Sequence, residues 1–164
     1  MIDAAALAAH CAREDLDLEA WGRGLERFGL EAQVRAAHAA AKSVAHYWRE
    51  RPDQTVEYRG LCSPNEQVAA VAEWIECPCE AHVQEILATL PSLPQKTFFD
   101  THGDHGWTRA HDTAEFLALS IRRPKFIAPT LALAASALAA EGDAAAERTI
   151  RATAAAALRA WTAA

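Results

Sequence analysis

Three features of the 164-residue sequence predict an all-α fold. Alanine is the commonest residue, accompanied by abundant leucine, glutamate and arginine, the residues that cost least to hold in a helix. Apolar side chains recur at spacings of three and four, as in Leu18, Trp21, Leu25 and Phe28. β-Branched residues are sparse and nowhere alternate with polar ones over the length of a strand. A chain of this length fits one domain, residues 1–164, and buries about 68–70% of its unfolded surface, enough for a core without staples.

The elements follow in order. Residues 3–13 predict a short helix with Ala6, Leu7 and Ala9 on its apolar face. Asp15 or Asp17 caps a second helix running to Phe28, and Gly29 ends it. A long helix from about Leu30 to Glu50 buries Val34, Ala37, Ala41, Val44, Ala45 and Trp48 until Pro52 breaks it. Residues 53–61 form a further short helix carrying Val56 and Tyr58.

Ser63-Pro64-Asn65-Glu66 is the sharpest local signal, with Ser at the N-cap, Pro at the first helical position and Glu two positions on. Val68, Val71, Trp74 and Ile75 then share one face up to Cys77. Pro78 disfavours helical geometry in Cys77 and itself suits the first position of a helix over about 79–90. Val83, Ile86, Leu87 and Leu90 face inward there. Pro91 and Pro94 mark a linker. A helix from about Trp107 to Ile121 carries Phe116, Leu117 and Ser120. Pro129 suits the first position of a helix ending at Ala140. Gly142 and Asp143 make a tight turn into a last helix over about 144–161, with Ile150, Ala154, Ala157, Leu158 and Trp161 inward. Seven or eight short helices result, arranged as a bundle or as an irregular α-solenoid.

Composition narrows the function. A net charge of -6 argues against nucleic acid, whose binding rests on basic phosphate contacts. Arg122, Arg123 and Lys125 make one basic knot, read as the solvated end of a helix. No apolar run is long enough to span a bilayer, and the acidic start MID lacks the basic leader of a secretory signal. Four cysteines, Cys11, Cys62, Cys77 and Cys79, do not make a disulfide framework in a chain this long. The expected compartment is the cytoplasm.

One segment is no plain amphipathic helix: TFFDTHGDHGWTRAHDT, residues 97–113. It gathers Asp100, His102, Asp104, His105, His111 and Asp112 beside Phe98, Phe99 and Trp107. His102, Asp104, His105, His111 and Asp112 offer the nitrogen and oxygen donors that suit zinc, manganese or iron, and Gly103 and Gly106 let the chain bend around an ion. The spacing matches no established metal signature, and the segment also reads as a polar loop in which Asp104 or His105 caps the next helix. A second cluster, Cys77-Pro78-Cys79 with His82, offers soft donors near a helix start, where a thiol is favoured as thiolate. The alternative is a pair of small hydrophobes. His10, His38 and His46 occupy ordinary helical positions, with His38, Lys42 and His46 on one solvated stripe. There is no phosphate loop and no nucleophile elbow.

Two resemblances attach to these residues. The adjacent pair His111-Asp112 resembles that of the HD-type metal phosphohydrolases, which are all-helical. This resemblance implies a ligand set completed by His82 and Asp143. The pair here follows Thr108, Arg109 and Ala110 instead of the apolar run usual in that family. The order SVAHYWRE, AAVAEWIECPCEAH, HGWTRAHDTAEFLALS and PTLALAASALAAE, spanning residues about 30–160, resembles an uncharacterised family of small alanine- and tryptophan-rich helical proteobacterial proteins. Some members are associated with protein-secretion gene clusters, which implies an adaptor or accessory role.

Together these observations predict a non-enzymatic protein-binding domain with no cofactor, contacting its partner through Phe98, Phe99, Trp107 and Arg109. The alternative is a metal-binding protein or metal-dependent hydrolase using His102, Asp104, His105, His111 and Asp112.

Overall fold

The computed structural model describes residues 2–48, 64–90 and 105–164. The helix expected at 53–61, the linker after residue 90 and the capping Ser63 lie outside the described residues. Within them the chain is all-α, and no helix is long and apolar enough to cross a membrane.

Helix α1, Ala4–Cys11, starts where the Asp3 carboxylate accepts the Ala6 amide at 3.0 Å. Helix α2, Leu18–Gly24, is capped by Asp17, which accepts the Ala20 amide at 2.6 Å. Asp15 pairs instead with Arg13 at 2.6 Å. The end of α2 tightens into a 3₁₀ turn, Leu25–Phe28, before Gly29 takes φ 87°, a left-handed conformation that favours glycine. Gly29 both ends that run and opens α3, Gly29–Val44. Helix α3 stops short of the expected Glu50, passing into a second 3₁₀ turn at Ala45–Tyr47.

Helix α4, Pro64–Glu76, has Pro at its first position as the capping signal predicts. Helix α5, Glu80–Ala88, has Cys79 at its N-cap in extended geometry, so Pro78 precedes the helix and does not begin it. Helix α6, Gly106–Ser120, has His105 at its N-cap, where His105 and Thr108 exchange side-chain and backbone contacts as a capping box. Helix α7, Ile127–Ala140, follows a 3₁₀ turn at Pro124–Phe126 that already sets its direction, leaving Pro129 at the third helical position. Helix α8, Ala146–Ala163, follows Gly142 at φ 97° and Asp143, whose carboxylate accepts from the Ala145 amide at 2.7 Å and the Thr149 hydroxyl at 2.9 Å.

Two cores lie on either side of α3. One gathers Leu7, Trp21, Leu25, Leu131, Ile150 and Leu158 against Ala32, Ala36, Ala40 and Val44. The other gathers Val71, Trp74, Ile86, Leu117 and Ile127 against Val34, Ala37 and Ala41. Small side chains on both faces let helices approach α3 from both sides. Helix α8 packs on both α1 and α3, so the last helix closes on the first. Contacts between elements so distant in the chain make this a bundle, since units of a solenoid touch only their neighbours.

Two histidines depart from their expected surroundings. His10 is buried, and its Nε2 stands 2.9 Å from the Trp21 carbonyl while the Trp21 indole N–H donates to the His10 carbonyl at 3.2 Å. The rings stack at 5.5 Å. His38 is half-buried between Lys42 and α4, whereas Lys42 and His46 are exposed. Burial pushes both His10 and His38 below their ordinary pKa. The basic knot at Arg122, Arg123 and Lys125 is exposed, with Arg122 paired to Glu80.

Candidate metal and interaction site

Helix α6 carries an unusually polar buried face. Thr108, His111, Asp112, Thr113 and Ser120 are all buried. The hydroxyls close on the helix itself: Thr108 donates to the His105 carbonyl at 2.8 Å, Thr113 to Arg109 at 2.6 Å and Ser120 to Leu117 at 2.6 Å. His111 and Asp112 are the two ionisable side chains of this face.

His111 Nδ1 lies 3.7 Å from Asp112 Oδ1, and both side chains are at least 96% buried. Glu115, one turn on from His111, brings a carboxylate so that one donor atom from each residue lies within 4.8 Å of the others. Burial pushes the Glu115 carboxyl above its ordinary pKa; the charge of His111 opposes this and that of Asp112 adds to it. Aromatic rings border the trio. Trp48 sits 5.1 Å from the His111 ring and 5.9 Å from Trp107, and Trp107 stacks on His105 at 6.4 Å.

The structure divides the sequence candidates. His111 and Asp112 converge, whereas His105 turns to its capping role at the start of α6. Phe98, Phe99, Asp100, His102 and Asp104 lie outside the described residues. Trp107 and Arg109 are half-buried on the first turns of the same helix. The two residues that would complete an HD-type ligand set sit elsewhere: His82 gathers with Cys77 and Cys79 at the start of α5, and Asp143 accepts from the Ala145 amide and the Thr149 hydroxyl in the turn before α8. Glu115 and Trp48 belong to the site but were not among its sequence candidates. The spacing His111-x-x-x-Glu115 was the available signal for Glu115, since i and i+4 share a helix face. Nothing local marks Trp48, which arrives through tertiary packing.

One imidazole and two carboxylates form a donor set suited to zinc, manganese or ferrous iron. Two donors each about 2.0–2.2 Å from a common ion stand roughly 3–4 Å apart, and the His111–Asp112 separation of 3.7 Å falls in that range. Two carboxylates would balance a dication, removing the cost of burying them ionised. Comparison with protein-family models, curated proteins and solved structures finds no match.

Proposed function

We propose that the protein is a helical metal-binding protein that holds a divalent cation at His111, Asp112 and Glu115 and has a binding, not a catalytic, role. The observation that carries this reading is the convergence of the buried His111 and Asp112 with the half-buried Glu115 on one helix. A binding role is preferred over phosphohydrolase chemistry because His82 and Asp143 are engaged elsewhere. The test is elemental analysis of tag-free protein, with thermal melts before and after chelation, repeated on His111→Ala and Glu115→Gln. Wild type is expected to carry about one more equivalent of zinc, manganese or iron than either variant. Its melting temperature should fall further on chelation than theirs does. Equal metal content in all three proteins would overturn the reading.

Trp107 and Arg109, half-buried on the same helix, support a second reading as an adaptor that binds another protein. The resemblance to proteins of secretion clusters makes such machinery the partner class to search. The check is capture of partners by wild type and by Trp107→Ala and Arg109→Ala. Variants that fold normally and lose the same partner support this surface; unchanged capture removes it.

A further inference from the structure

We infer that the turn between α4 and α5 is a zinc site built from Cys77, Cys79 and His82, separate from the trio on α6. Three observations carry it. First, the thiols are in the wrong place for packing: Cys77 is exposed and Cys79 half-buried, whereas Cys11 is buried in the core as an ordinary small hydrophobe. Both are free, and the tight turn, in which the Cys79 amide donates to the Cys77 carbonyl at 2.8 Å, keeps them adjacent.

Second, the distances fit the ion. Cys79 Sγ lies 3.5 Å from His82 Nδ1. A tetrahedral zinc with sulfur at about 2.3 Å and nitrogen at about 2.0–2.1 Å separates those two atoms by about 3.5 Å. Donor atoms of Cys77, Cys79 and His82 all fall within 4.8 Å of one another. His82 Nδ1 rests 2.8 Å from the Cys77 carbonyl, so a small swing of the ring exchanges that contact for the metal.

Third, the surroundings are acidic and supply further oxygen donors. Glu73 and Glu85 form an overlapping group with the same His82, again within 4.8 Å, and both are exposed. A carboxylate from one of them, or a water molecule, fills the fourth position. Two thiols, a histidine and a carboxylate select zinc among borderline cations, since calcium and magnesium require oxygen throughout. Binding forms two zinc–sulfur bonds and releases the two thiol protons to solvent.

The test is titration of the reduced, tag-free full chain with cobalt(II), then displacement by zinc, following thiolate-to-cobalt charge-transfer absorption. Wild type and His111→Ala should both take up one equivalent with that absorption, because the α6 trio contains no sulfur. Cys77→Ser and Cys79→Ser should abolish it, and His82→Ala should weaken zinc binding at least tenfold. Serine is a favourable N-cap residue, so Cys79→Ser keeps α5 folded and its loss of absorption cannot be ascribed to unfolding. Thiols shown to be reduced that give no cobalt–sulfur absorption would overturn the site. So would absorption that survives Cys79→Ser. Metal lost from His111→Ala alone bears on the α6 reading and leaves this one standing.

Discussion

His10 and Trp21 hold α1 to α2 by exchanging contacts with each other's backbone carbonyls across stacked rings. A β-carbon at Gly24 would stand 2.5 Å from the His10 ring, so the arrangement depends on glycine there for close approach. Gly24→Ala is expected to cost about 1–3 kcal/mol by overpacking, measured by urea unfolding. Trp21, with no exposed surface, should cost about 3–5 kcal/mol when cut to alanine. Burial lowers the pKa of His10, and of His38, so the fold keeps both neutral while the unfolded chain protonates them near 6.5. Below that value the unfolded state binds more protons, and stability falls as pH drops until the folded values are reached, then levels off. Thermal melts between pH 7.5 and 5 should show this decline. His10→Asn should start less stable and decline less steeply; an unchanged slope would assign the effect elsewhere.

At the scale of elements, the caps are local chemistry and were legible. Asp17 before α2, Pro64 at the start of α4 and His105 before α6 act where the sequence places them. Asp17→Ala should cost about 1 kcal/mol, read from the same unfolding curves, because it frees the Ala20 amide at the start of α2. Elements went astray where two local signals compete. Pro78 and Pro129 both suit a first helical position, yet the extended Cys79 and the 3₁₀ turn at Pro124–Phe126 set the true starts. The candidate site was half legible: adjacency gave His111-Asp112, whereas Glu115 sits in a stretch that reads as ordinary helix. His10 could not be placed from sequence, because its burial depends on Trp21 eleven residues away.

Across the whole molecule, Arg35 links the parts. From α3 its guanidinium donates to the Ile75 carbonyl at 3.2 Å near the end of α4, pairs with Glu31 at 2.8 Å and lies 4.8 Å over the Trp161 ring of α8. Arg35→Ala should lower stability by about 1–3 kcal/mol through the lost charged hydrogen bond and cation–π contact, a change measurable by calorimetry. Arg151 on α8 likewise donates to the Arg13 and Glu14 carbonyls at 3.2 and 3.3 Å, fastening the last helix to the first loop. The alanines of α3 wall both cores, so loosening either core exposes a flank of the same helix. In deuterium labelling its amides should therefore be the slowest in the chain, exchanging only when the entire molecule opens. Helix α5, which buries only Val83 and Ile86, should take up label long before.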